Sequence, residues 1–117
     1  MSLPPGGFPP GFEWDEAKNQ VNIRKHGIDF RDAVRLFDRP TLDRADNRRD
    51  SGEVRTNPIG CLGGLVIAMV THTDRDNVTC LISARAANSP EREAYRSFER
   101  ELIGERTRGR GRERNGL

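Results

Sequence analysis

Leu65-Val66-Ile67-Ala68-Met69-Val70 is the longest apolar run of the chain; Thr71-His72-Thr73 extends it, Asp74-Arg75-Asp76-Asn77 breaks it, and Val78-Thr79-Cys80-Leu81-Ile82-Ser83-Ala84-Arg85 follows. Two strand-forming runs on either side of a short polar link predict a hairpin, with residues 65–73 as its central strand. In the second run Val78, Cys80, Ile82 and Ala84 point one way, and Thr79, Leu81, Ser83 and Arg85 the other. No apolar stretch approaches the ~18 residues that cross a bilayer.

Working outward, Val54 to Cys61 reads as a strand interrupted by Asn57-Pro58, which requires an edge position or a bulge because proline donates no ladder hydrogen bond. Thr41 to Ala45 is a weaker edge-strand candidate. Two helices precede these strands. Asp15 caps Glu16 to His26, which carries Ala17 and Val21 on one stripe and stops at Gly27. Asp29 caps a second, with Phe30, Ala33, Val34 and Phe37 on one face, halted before Pro40. After the hairpin, Ser89 as cap and Pro90 at the first turn open a third helix with Ala94, Tyr95, Phe98 and Leu102 inward. The expected fold is α+β: two N-terminal helices, an antiparallel meander of three to four strands, and a C-terminal helix.

Residues 1–11 hold four of the seven prolines and three glycines, which predicts a disordered arm. Residues 104–117 carry five arginines against two glutamates and almost nothing to bury, which predicts a disordered basic tail. The folded domain is thus expected over residues 12–103. With 20 basic and 18 acidic residues the net charge is only +2, so any polyanion site must be a local cluster. Two cysteines, Cys61 and Cys80, are too few for a disulfide framework or a four-cysteine zinc site and read as buried free thiols. The opening residues lack a basic head followed by an apolar stretch, so the expected location is the cytoplasm, without a membrane partner.

Three stretches occur together in order. The first is Phe12-Glu13-Trp14-Asp15, then Lys18, Asn22, Lys25-His26-Gly27, Phe30 and Ala33. The second runs from Arg55 to Ile59-Gly60. The third is Ile82-Ser83-Ala84-Arg85, then Ala87, Glu91-Arg92 and Tyr95. This succession resembles the BrnT family. The resemblance implies a RelE-like ribonuclease fold and the toxin half of a type II toxin–antitoxin pair. Such a toxin inhibits growth and translation by cutting RNA. The implied partner is a BrnA-like antitoxin whose ribbon-helix-helix domain binds operator DNA, so that DNA is met only through the antitoxin, in a higher-order complex. The sequence departs from the family pattern at Pro58, which breaks the strand beside Arg55.

Cleavage of RNA by its own 2′-hydroxyl needs a base, cations for the five-coordinate phosphorus and an acid for the leaving oxygen. Histidine suits the proton transfers and arginine the phosphate. The catalytic candidates are accordingly His26, Arg55, Arg85 and Tyr95; the RNA-binding candidates are Lys25, Arg75, Arg92 and Trp14. Each has a plainer role open to it. Lys25 and His26 complement a helix C-terminus. Arg85 can pair with a nearby acid, and Arg92 with Glu91. Arg75 is a solvated turn residue. Tyr95 and Trp14 are packing anchors. His72, in the central strand, ranks lower as a catalyst. No phosphate-cradling loop, activated nucleophile or clustered ligand spacing is present, so no metal and no cofactor is expected. The rival to an endoribonuclease is a non-catalytic module that binds protein or nucleic acid on the same scaffold.

Overall fold

The computed structural model describes residues 3–50, 52–64 and 66–115, with the side chains of 45–50 and 105–115 outside that description. The elements run β1 (Phe12–Glu13), α1 (Glu16–His26), α2 (Phe30–Ala33), a 3-10 helix (Val34–Asp38), β2 (Ala45–Asp50), β3 (Glu53–Thr56), β4 (Ile59–Gly63), β5 (Val66–Arg75), β6 (Val78–Ala86) and α3 (Ser89–Asn115). Two compact units result, Met1–Ala87 and Asn88–Leu117, and each is described by itself.

The first unit is a mixed sheet in the order β1-β6-β5-β3-β2, with β4 also on β5. The α+β class is as expected, but the described residues form six strands rather than three or four. The short β1 runs parallel to β6, pairing Phe12 with Thr79 and Glu13 with Cys80, and two residues leave no periodicity to read. The edge strand expected at Thr41 to Ala45 lies mostly further on, at β2; of the earlier stretch Leu42 bridges to Ile59, Arg44 exchanges backbone hydrogen bonds with Asn57, and Ala45 opens β2. Residues 54–61 divide into β3 and β4, which both pair with β5. Pro58 sits fully buried at the break, its carbonyl accepting the Val70 N–H at 3.0 Å. Val70 thereby stays satisfied while the proline costs no donor.

The β5–β6 ladder carries one irregularity with large consequences. Thr71 pairs with Ser83, but His72 pairs with Leu81, so Ile82 is an extra residue. Simple alternation would put Leu81 and Ala84 on opposite faces. The bulge puts both into the core, which comprises Trp14, Phe30, Ala33, Leu36, Ala68, Val70, Leu81 and Ala84.

The caps of α1 match the sequence reading. Asp15 accepts from the Ala17 N–H at 3.0 Å, and Gly27 adopts φ 73° to end the helix. The face α1 buries does not match. Asn19 and Asn22 are 1% and 5% exposed, whereas Val21 of the apolar stripe is 40% exposed. The second helix is four α-helical residues followed by a 3-10 helix. That tighter winding aligns Phe30, Ala33 and Leu36 at a spacing of three, all fully buried.

The asparagines replace apolar packing by hydrogen bonds. Asn22 Nδ2 donates to the carbonyls of Ala84 (2.8 Å) and Ile28 (2.9 Å), and its Oδ1 accepts the Ala84 N–H (3.0 Å). An amide side chain thus caps the outer edge of β6 much as a strand would. Asn19 accepts from the Phe30 N–H at 2.8 Å and donates to Asp29 and Glu16. Glu16 also accepts from the Trp14 indole N–H at 2.9 Å, and that bond is the main influence holding its carboxyl below the usual range.

Within the stretch expected to be a disordered arm, the described residues make contacts from Pro4 on. Pro4 is buried, Phe8 packs edge-on against Trp14 at 5.0 Å, and Arg31 donates to the Pro5 carbonyl. The prolines and glycines preclude regular structure but not packing of the phenylalanine between them. Cys61 is buried and Cys80 partly so, and neither forms a disulfide.

In the second unit the cap of α3 is Asn88 rather than Ser89. Asn88 Oδ1 accepts the Glu91 N–H and the Glu91 carboxylate accepts the Asn88 N–H, both at 2.9 Å. This reciprocal pair moves the helix start one residue from the reading based on Pro90. The helix runs to Asn115, beyond the boundary expected at Ile103; the side chains expected to form a basic tail lie outside the described residues.

Asn22→Ala should lower the unfolding free energy by about 2–4 kcal/mol, since it strands several buried backbone groups; urea denaturation measures it. Gly60 lies where an added Cβ would meet Leu36 Cγ at 2.7 Å. Gly60→Ala should therefore cost about 1–3 kcal/mol, and Leu36→Ala in the same chain should recover part of that loss in the same titration.

Candidate functional site

The last turn of α1 is Arg24-Lys25-His26, three basic residues at the negative end of the helix dipole. Because the two asparagines face inward, Ala17, Lys18, Val21 and Lys25 look out. Together with Asn22, His26, and Ile82 and Ser83 of β6, they line a groove of about 360 Å³. Two sequence candidates, Lys25 and His26, thus share one concavity.

Arg85 stands beside it. The ladder sets Thr71 opposite Ser83, Val70 opposite Ala84 and Met69 opposite Arg85. Ser83 and Arg85 therefore share the sheet face turned away from the core formed with α1 and α2. Two residues of extended chain, roughly 7 Å, separate them. The Arg85 guanidinium donates to the Ala86 carbonyl at 3.2 Å and reaches Met69 sulfur at 3.8 Å. Ser83 thus joins the groove to the face on which Arg85 lies.

Arg55 shares that face but not that place. Thr56 pairs with His72 on the core side, so Arg55 projects to the other side with Thr71 and Thr73. It lies on β3, across β5 from β6, so roughly 10 Å of sheet width separates it from the Arg85 strand. Asn57 and Pro58 do not displace it, since Thr71 Oγ1 donates to Asn57 Oδ1 at 2.8 Å and holds the break closed.

The remaining candidates stand elsewhere. Trp14 is fully buried, with Phe8 and Phe30 edge-on to it at 5.0 and 6.0 Å. A base cannot stack on a ring so enclosed, and the expectation of RNA contact is corrected to a core anchor. Arg75 pairs with Glu53 through two guanidinium nitrogens, Nε at 2.9 Å, and this bond raises its already high pKa. His72 lies on the core side, 6% exposed, its Nδ1 3.0 Å from Asp74 Oδ1 and its ring edge-on to Phe37. The sheet separates it from the face of Arg85. Tyr95 and Arg92 belong to the second unit. Tyr95 is 2% exposed and packs against Phe98 at 6.0 Å, and Arg92 donates to Ser89 Oγ at 3.1 Å.

Sequence reading passed over Lys18 and Ser83 as groove residues. Lys18 stands one turn from Val21 and Asn22, and Ser83 alternates with Arg85, but only the inward turn of the asparagines brings the two together. Among the described residues no three His, Cys, Asp or Glu side chains gather as metal ligands, and no helix is long and apolar enough to cross a membrane.

Comparison with known proteins agrees with this architecture. The family described as ribonuclease toxin, BrnT, of type II toxin-antitoxin system matches residues 14–91. The crystal structure of the Brucella abortus ribonuclease toxin BrnT superimposes with a TM-score of 0.51 at 30% identity, covering 67% of this chain and 96% of that one. A comparison with curated proteins found no match. The matched span contains α1 with its two asparagines, the whole β5–β6 hairpin and the start of α3, and the chain therefore belongs to the BrnT family of ribonuclease toxins of type II toxin–antitoxin systems.

Proposed function

We propose that the chain is a cytoplasmic endoribonuclease toxin that cuts RNA without a metal ion or cofactor, inhibits translation and growth, and is neutralised by a BrnA-like ribbon-helix-helix antitoxin. One observation carries the catalytic reading: Lys25, His26 and Ser83 line a single groove, with Arg85 two residues along the same strand face. In this reading the His26 imidazole exchanges the proton of the attacking 2′-hydroxyl or of the leaving 5′-oxygen. Lys25 and Arg85 stabilise the charge that builds on the phosphate, Arg85 with its planar fork and Lys25 as a point charge. Arg55, further along the sheet face, guides the flanking strand of RNA. Tyr95 and Arg92 are retained as a further proton donor and a phosphate contact, to be tested by substitution. Arg75, held by Glu53, contributes less. The antitoxin, not the toxin, contacts operator DNA in the assembled complex.

Arg85→Ala should abolish growth inhibition and reduce cleavage of a purified transcript by about 10²–10³-fold, with the thermal melt and antitoxin binding unchanged. An Arg85 variant that remains fully toxic removes that role. Incubation of the purified protein with RNA in excess EDTA should give the same cleavage rate as without it. Activity lost with EDTA and restored by magnesium points to a metal-dependent reaction instead. A preparation that binds its antitoxin but never cuts RNA leaves the non-catalytic binding module.

A further inference from the structure

The orientation of α1 is the reverse of what its composition asks. An amphipathic helix on a sheet normally buries its apolar stripe. Here Asn19 and Asn22 are buried, whereas Val21 is 40% exposed and Ala17 is exposed beside it. Ala17, Val21 and Ile82 make up the apolar part of the groove lining, which we read as its floor beside Asn22 and Ser83, with Lys18, Lys25 and His26 as the basic part, its rim. No carboxylate lines it. An apolar floor with a one-signed rim selects for an apolar side chain flanked by acids, and α1 gives up burial of its own apolar stripe to keep that floor open.

We infer that this groove docks a short segment of the antitoxin, an apolar residue seated on Val21 and Ile82 with acidic neighbours against Lys18 and Lys25. This rests on the family's membership of a type II toxin–antitoxin system and on the function proposed above. A segment seated there covers Lys25 and His26, so neutralisation is occupation of the RNA groove by an acidic peptide segment. RNA fits the rim but not the floor: a phosphate gains nothing from Val21, and the Val21 side chain takes no part in the chemistry.

The test uses the full chain and the purified antitoxin encoded beside it. Val21→Glu places a like charge against the acidic segment and removes its apolar seat, and Lys18→Glu reverses the rim alone. Val66→Glu is the control, because Val66 is 51% exposed on β5 outside this groove. Titration calorimetry should show antitoxin affinity lowered at least 30-fold by Val21→Glu, less by Lys18→Glu and less than twofold by Val66→Glu. Circular dichroism checks that each variant is folded. Unchanged affinity for both groove variants overturns the proposal, as does an equal loss in the Val66 control. Unchanged antitoxin affinity with weakened RNA binding would assign the floor to RNA. If no variant, nor the parent chain, cuts RNA while affinity still falls as stated, the docking site stands and the catalytic reading fails.

Discussion

The amide of Asn22, bonded to both the N–H and the carbonyl of Ala84, is the contact on which the architecture turns. β1 covers β6 only at Thr79 and Cys80, and beyond that point the strand edge needs another partner. A helix has no free backbone groups along its side, so a side chain must supply donor and acceptor together, and asparagine carries both on one short arm. Once Asn22 is committed to the strand, the rotation of α1 is determined. Asn19, three residues earlier, falls on the same side and bonds the start of α2, while Ala17, Val21 and Lys25 turn outward.

The bulge at Ile82 complements this clamp. Without the extra residue, Leu81 and Ala84 would occupy opposite faces and the core would lose one of them. With it, the face bearing Ala84 packs on the helices, and Ser83 and Arg85 stay on the other side beside the groove. One irregular ladder step thus serves both packing and the site. The same economy holds at Pro58, where a broken strand still delivers its carbonyl to Val70 and keeps Arg55 on the face of Thr71 and Thr73.

A toxin must meet two partners, its RNA and its antitoxin, on a domain with few apolar residues. The groove between α1 and β6 combines an uncovered apolar floor with a basic rim. Those are the features that suit, respectively, a protein segment and a phosphate chain. On the proposed function and docking site, placing both demands on one surface ties inhibition to catalysis without a separate regulatory site. Buried His72, bonded to the exposed Asp74, serves the core side instead, with its ring edge-on to Phe37.

Local chemistry alone determined the span of α1 from Asp15 to Gly27, the β5–β6 hairpin, the need for a break at Pro58 and the α+β class. Capping bonds, a left-handed glycine and a missing proline donor act within a few residues, so they are legible in the chain. The order of the three matching stretches also indicated the family. Tertiary structure decided which side of α1 is buried, because hydrogen bonds from Asn19 and Asn22 to distant backbone outweigh a two-residue apolar stripe. It decided, through the bulge, which face Leu81 occupies, and through Phe8 and Phe30 that Trp14 is enclosed. It also decided that Lys25 and His26 meet Ser83 while Arg55 stands apart. Those outcomes depend on partners up to 62 residues away in sequence, and no local pattern encodes a contact at that separation.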